Sequence, residues 1–302
     1  MVGASLLVGT WVRLAPRSPL WLDEALTVNI ARRSGADLVE ALVRDGHPPL
    51  YYWLLHHWMD WFGTGDLAVR SLSTVFGLAT IPLVALLAAR LGGPRAAVGA
   101  TVLISLSPYA VRYASETRMY ALLMLLVTAG ALLLDDLHRR PGWLRAVGLG
   151  AVTGALLWTH YWSAYLLALV GLAVVVWAWR RPQQRRSATW IAGALIAGGA
   201  TFLPWVPSLL EQAEHTGTPW AIPARPTQVV AATLSELGGG GLAEAQLAGT
   251  LLVVLLVVAF VPIVGAAGPG RAAATRPAAG AVVTAGAIAA RIVGTLAVGW
   301  LI

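Results

Sequence analysis

Two adjacent carboxylates, Asp23 and Glu24, sit in the stretch PLWLDEALTVNIARR, where Leu22, Ala25, Leu26 and Ile30 make a helical apolar stripe. A positioned carboxylate can take a proton from a hydroxyl nucleophile, which is general-base chemistry. Acidic residues also favour a first helical turn for purely structural reasons. A second candidate is His47, fixed in an extended conformation by Pro48 and Pro49. It reads either as a donor aimed at an anionic headgroup or as a plain turn with a solvated imidazole. A third is RYASETRMY, with Arg112, Tyr113, Glu116, Arg118 and Tyr120. A guanidinium fork grips two phosphate oxygens at once, although two arginines and a glutamate also make an ordinary ion-pair network. His160, in WTHYWS, has the setting of an aromatic-belt residue.

Other clusters carry less. Asp135-Asp136-Leu137-His138 lies beside arginines and reads as a solvated helix end. HHWMD, residues 56–60, lacks the HExxH spacing of zinc proteases, so His56 and His57 read as interfacial residues. With no cysteine there is no disulfide, no thiolate metal site and no cysteine nucleophile. Neither GxxxxGK[ST] nor GxGxxG occurs.

The elements that must hold these residues are membrane helices. The chain has 302 residues, 58% hydrophobic and 12% charged, with mean hydropathy +0.71. That composition excludes a soluble globular domain. Expected spans are Met1–Ala15, Leu67–Leu91, Ala96–Val111, Met119–Leu134, Leu144–Trp158, Ser163–Trp179, Ala188–Val206, Gln246–Ala267 and Ala278–Ile302. The expectation is an all-α polytopic bundle of about nine spans, forming one domain over residues 1–302. All 21 basic residues are Arg. Eleven of them form the strong clusters at 90/95, 139/140/145, 180/181/185/186 and 271/276. Short Arg-rich loops stay cytoplasmic, so the net charge of +7 reports topology and no nucleic-acid partner. The Ala-, Gly- and Val-rich composition and absence of lysine read as a high-GC bacterial source, and the expected location is the bacterial inner membrane.

The loops between the clusters then face out. The first is 16–66, with about three short helices broken at Ser34-Gly35 and at Gly46–Pro49; a short second one is Tyr113–Arg118, His160 lies on the same side, and 207–245 is the second large one. Pro48–Phe62 is apolar, yet too short to span, and it carries His56, His57 and Asp60. Counting it as a span would put every later arginine cluster outside. It reads as a helix lying along the interface.

In this order, LDEA (22–25), HPPLYY (47–52), the link from Gly63 to Arg70, RYASETRMYAL (112–122) and THYW (159–162) resemble membrane glycosyltransferases of the GT-C fold. The resemblance is narrower to bacterial family 39, the relatives of protein O-mannosyltransferase and aminoarabinose transferase. It covers roughly residues 15–210. It implies a catalytic Asp at Asp23 and a second-loop acidic residue at Glu116. It also implies that His47, Arg112 and Arg118 hold the phosphate of a lipid-linked donor. Larger members of the family carry more spans and often a C-terminal outer domain. The present chain stops within an apparent span at Ile302, as in an incomplete or short variant.

The expected chemistry is transfer of a sugar from a polyprenyl-phosphate donor to an acceptor hydroxyl on a protein, glycolipid or polysaccharide. Asp23 acts as base, one displacement inverts the anomeric carbon, and Glu116 orients the acceptor or a basic residue. Arg and His stabilise the departing phosphate. A divalent cation, Mg²⁺, Mn²⁺ or Ca²⁺, bridging Asp23, Glu24 and Glu116 is a further option, although a lipid-phosphate leaving group does not obviously require one. Two competing readings are a lipid or sugar transporter or flippase and an inactive truncated paralogue.

Overall fold

The structure is a computed structural model that describes residues 2–15, 18–215, 225–240 and 244–254. It divides into two compact units, Met1–Ala221 and Ile222–Ile302. Among the described residues the only regular elements are helices. The expected spans Gln246–Ala267 (beyond its first residues) and Ala278–Ile302 lie outside them, as do Arg271 and Arg276.

In the first unit, α1 (Val2–Leu14) precedes three short helices, α2 (Leu22–Ala31), α3 (Gly35–Asp45) and α4 (Leu50–Phe62). The expectation of three short helices in the 16–66 loop is met, with breaks at the anticipated places. Gly46 caps α3 in the left-handed conformation, φ 91°, which a glycine adopts without steric cost. Pro48 and Pro49 then prevent α3 from running into α4.

The long run α5 (Asp66–Leu106) is two helices joined at Gly93, whose φ of 79° is non-helical, with Pro94 following. The chain folds back there. Thr74 Oγ1 donates to Ala114 O at 2.9 Å and Ser73 Oγ to Arg118 O at 3.1 Å, so the start of α5 lies beside residues far beyond the turn. α6 (Pro108–Ala114) follows a break at Ser107. α7 (Tyr120–Arg139) then runs in the same direction as the first half of α5. At its far end Asp136 accepts from Arg90 at 2.6 Å. α8 (Trp143–Thr159) returns, α9 (Ser163–Arg180) descends and α10 (Arg185–Ala200) returns again.

This winding sorts the turns into two ends. The turns containing Arg90, Arg139 and Arg180–Arg186 share one end, tied by Arg90 to Asp136 and by Ser187 Oγ to His138 O at 3.3 Å. The opposite end carries α2, α3, α4, the 115–119 turn, His160 and α11 (Val206–His215). There Gln212 donates to Leu42 O at 2.8 Å, and Trp205 to Tyr161 at 2.8 Å.

Among the described residues four runs are long and apolar enough to cross a membrane: Asp66–Leu106, Tyr120–Arg139, Ser163–Arg180 and Pro182–Glu214. Leu169, Leu172, Val175 and Ile196 face outward from them, as lipid contact requires. α8 and α10 approach closely through glycine. A Cβ on Gly198 would lie 2.3 Å from Gly150 O, and one on Gly154 2.6 Å from the Thr201 hydroxyl. Small residues at such crossings let the backbones touch. Two spans end well short of expectation. The span expected to reach Val111 breaks at Ser107, because Pro108 lacks the N–H to continue it. α10 stops at Ala200 rather than Val206, where Pro204 imposes a short 3-10 turn, Leu203–Trp205.

α4 is no span. Tyr51, Tyr52, Leu55 and Met59 are buried, while Trp61 and Phe62 stay exposed. Its contacts are with the near ends of its neighbours. Tyr51 OH meets Ser73 Oγ at 2.8 Å, Trp58 donates to Ala68 O at 3.0 Å, and Trp53 stacks on Trp158 at 5.8 Å. One apolar core joins this helix to Val28, Leu38, Leu42, Val69, Met119 and Phe202. A separate core at the arginine end joins Leu137, Leu149, Val174 and Ile191.

In the second unit, α12 (Pro226–Leu237) ends in a turn through Gly239 and Gly240, both at positive φ. A short apolar helix, Ala245–Val254, follows.

Candidate active site

Every sequence-predicted site residue lies at the α4 end, but they divide into two groups. Glu24 is a buried anchor. Its carboxylate receives Arg70 Nε at 2.8 Å and Nη2 at 2.5 Å, the backbone N–H of Thr117 at 2.8 Å and that of Trp21 at 3.3 Å. Arg70 also donates to the carbonyls of Ser18 and Pro19. Side-chain exposure is 0% for Glu24 and 4% for Arg70. Burial alone would raise the Glu24 pKa. The Arg70 and Thr117 hydrogen bonds outweigh it, and the carboxyl titrates below its ordinary value. One pair thus locks α2, the start of α5 and the 115–119 turn together.

Asp23, one residue earlier, projects differently. Its side chain is 40% exposed and lies 4.0 Å from Arg118 Nη2. Adjacent helical positions diverge by about 100°, so one carboxylate can be locked while its neighbour stays open.

Arg118 is the hub of the second group. Its Nη1 donates to Thr27 Oγ1 at 3.0 Å, and its Nη2 lies 3.4 Å from His47 Nε2. Its guanidinium stands 5.9 Å from the Tyr120 ring centre. His47 Nδ1 in turn meets Asp45 Oδ2 at 2.8 Å, and Tyr52 donates to the same oxygen at 3.1 Å. A carboxylate on Nδ1 fixes the tautomer and turns Nε2 toward Arg118. Although burial opposes it, the His47 and Tyr52 hydrogen bonds hold Asp45 below the usual carboxylate range.

Glu116 and Arg112 pair at 3.1 Å, and Arg112 lies over the Tyr113 ring at 5.6 Å. Tyr113 packs edge-on against Tyr120 at 4.7 Å. Burial raises the Glu116 pKa despite Arg112. His160 is buried beside Tyr120, 6.3 Å between ring centres. The Trp162 N–H donates to its Nδ1 at 3.2 Å, which leaves Nε2 as the donor of a neutral ring. Burial, with His47 and Arg118 nearby, pushes its pKa down to about 4. Three consecutive residues present buried polar atoms without a partner among the described residues: Glu116 Oε2, Thr117 Oγ1 and Arg118 Nε. Buried polar atoms are nearly always satisfied, so these mark a place that takes a polar ligand or water.

The structure adds Arg70, Asp45, Thr27 and Tyr52 to the residues anticipated. Arg70 carried the same sequence signal as Arg112 and Arg118, an arginine on the side opposite the clusters. Asp45 had a signal too, a carboxylate two positions before a rigidly held His. Thr27 and Tyr52 had none.

A groove of about 950 Å³ runs between α8 and α10. It is floored by Gly150, Gly154 and Gly198 and ends near Leu50 and Trp158, which flank His47-Pro48-Pro49 and His160 in the chain.

No curated protein and no solved structure matches the chain. The family of dolichyl-phosphate-mannose-protein mannosyltransferases matches residues 46–206. The matched stretch takes in His47, Arg70, Arg112, Tyr113, Glu116, Arg118 and His160 and begins after Asp23 and Glu24. It spans more than half of the 302 residues. Together with helices fit to cross a membrane several times, this match places the chain in the dolichyl-phosphate-mannose-protein mannosyltransferase family, as a multi-pass membrane glycosyltransferase.

Proposed function

We propose that the protein transfers a sugar from a polyprenyl-phosphate donor to an acceptor hydroxyl at the outer face of a bacterial inner membrane, with inversion. The observation that carries this reading is the convergence on Arg118. A buried guanidinium with a free Nε, flanked by His47, His160 and an open carboxylate at 4.0 Å, suits an anionic leaving group and a base side by side. The phosphate would lie against Arg118, with His160 Nε2 as a further donor and His47 donating from Nε2 in its imidazolium form. Arg112 and Tyr113 border it. Charge-assisted hydrogen bonds in a partly dry site strengthen as negative charge develops on the departing phosphate.

Asp23 is the base. It is the one carboxylate here that is both partly exposed and uncommitted to a tight ion pair. It takes the acceptor proton as the hydroxyl oxygen attacks the anomeric carbon and the C–O bond to the phosphate breaks. Glu116, with one oxygen on Arg112 and one free, orients the acceptor. Glu24 acts through position, holding α2 by way of Arg70. The donor tail fits the apolar groove between α8 and α10. Both Glu24 oxygens are committed to Arg70, Thr117 and Trp21. A cation bridging Asp23, Glu24 and Glu116 would have to displace them, and no step is routed through one. The acceptor class favoured by the family is protein.

The arginine end faces the cytoplasm in this reading. The chain has no cysteine, so single cysteines report sidedness cleanly. Thr64→Cys should react with an impermeant reagent from outside and Gln183→Cys only from inside; the reverse pattern would place the site on the wrong face for this chemistry. Purified protein in lipid nanodiscs should transfer sugar from a polyprenyl-phosphate donor and not from a nucleotide sugar. The opposite preference would defeat the proposal.

A further inference from the structure

On α4, away from Arg118, three potential ligands share the exposed side of the last two turns. His56 and Asp60 are four residues apart and His57 and Asp60 three, both spacings that place side chains together on a helix. Asp60 Oδ2 lies 3.8 Å from His56 Nε2 and 3.8 Å from His57 Nδ1. One ligand atom from each residue lies within 4.8 Å of the other two.

A second observation concerns His56 alone. Its Nδ1 lies 2.8 Å from the carbonyl oxygen of Ala31. A carbonyl only accepts, so Nδ1 carries the proton and Nε2 keeps its lone pair, turned toward Asp60. Metal-binding histidines are commonly held in this way, with the far nitrogen bonded to a backbone carbonyl or carboxylate. His56 is 22% exposed, whereas His57 and Asp60 are 69% and 60% exposed and free to adjust. Small rotations would bring the three atoms to the roughly 3.4 Å separations that ligands at about 2.0–2.1 Å subtend in a tetrahedron.

We propose that His56, His57 and Asp60 form a three-ligand site for a divalent transition metal of the Zn²⁺ class, with the fourth position left to water. Two imidazoles and one carboxylate favour Zn²⁺, Ni²⁺ or Cu²⁺ over Mg²⁺ or Ca²⁺, which prefer all-oxygen sets. A metal here would stiffen the end of α4. Through His56 and Ala31 it would also fix the C-terminal end of α2, the helix that carries Asp23.

The test uses the full chain, purified in nanodiscs without a polyhistidine tag. Co²⁺ is titrated while its visible d–d absorption is followed, then displaced with Zn²⁺. One saturable equivalent is expected, with affinity lowered at least about tenfold by His57→Ala and by Asp60→Asn, to judge from the effect of weaker perturbations at metal sites. Zn²⁺ should raise the unfolding temperature of the parent and of His47→Ala, but not of His57→Ala. Should His56→Ala fail to fold, the two exposed positions still decide. Unchanged binding in both His57→Ala and Asp60→Asn, or loss of binding in His47→Ala instead, would overturn the proposal. Binding of Mg²⁺ in place of Zn²⁺ would overturn the metal class.

Discussion

The two ends of the helical bundle handle charge in opposite ways. At the α4 end, the most deeply buried charged groups find partners far along the chain. Glu24 joins Arg70 and Thr117, and Arg118 reaches Thr27. At the arginine end the pairs are more open. Arg139 holds Asp135 one helical turn away with its own side chain 55% exposed, and Arg90 reaches Asp135 and Asp136 while 28% exposed. Burying a charge costs several kcal/mol unless it is fully matched, so the first arrangement persists only where position matters more than solubility. The second is the open, arginine-rich pattern that the proposed topology assigns to the cytoplasmic side.

That contrast sets the sizes of the mutational effects. The largest should come from cutting the Glu24–Arg70 pair. Glu24→Ala or Arg70→Ala strands a buried partner and should cost about 3–5 kcal/mol of stability, read as denaturant unfolding in detergent. A cost below about 1 kcal/mol would mean that water reaches the pair and the contrast between the ends is overstated. Next in size is Arg118→Ala. Loss of its contacts to a phosphate should weaken donor binding by about 1.5–3 kcal/mol, measured by titration with a polyprenyl phosphate. Arg112→Ala should lose less, since the Arg112–Glu116 pair is more exposed.

A more gradual effect, spread over pH, follows from His160. Its folded pKa of about 4 lies below the ordinary value near 6.5. Between those values the unfolded chain takes up a proton and the folded one does not. Stability therefore falls as pH drops through this window, by at most about 1.4 kcal/mol per pH unit. His160→Gln should flatten that slope. Below it the Glu24 pair begins to fail as well, because a carboxylate of lowered pKa gives its stability above the ordinary value and loses it on acidification. The smallest effect belongs to the arginine end. Arg139→Ala should change stability by no more than about 0.5 kcal/mol, and a larger loss would show that this end also has a structural charge network.

The sequence carried much of this layout. Arginine clusters separated the two ends because topology is set by short charged loops. The three helices of the first loop were legible because Gly and Pro punctuate them. What it did not carry was partnership. Nothing local in LDEA says that Glu24 rather than Asp23 turns into the core, since that depends on Arg70, 46 residues away. The same holds for Asp45, although its partner His47 is close by. Its role shows only once Arg118 closes the other side of the imidazole. The ends of spans were misplaced where prolines override apolar composition, at Pro108 and Pro204.

Asp23 is the carboxylate on which the proposed transfer depends. Transfer from a polyprenyl-phosphate donor is measured for Asp23→Asn beside the parent, with donor binding and unfolding temperature followed on the same samples. Asn keeps the size and shape of the side chain and removes the charge and the proton acceptor. The account predicts normal folding, donor binding within about threefold of the parent and a transfer rate lower by about 10²–10⁴. Near-normal transfer by the folded Asp23→Asn variant would contradict it.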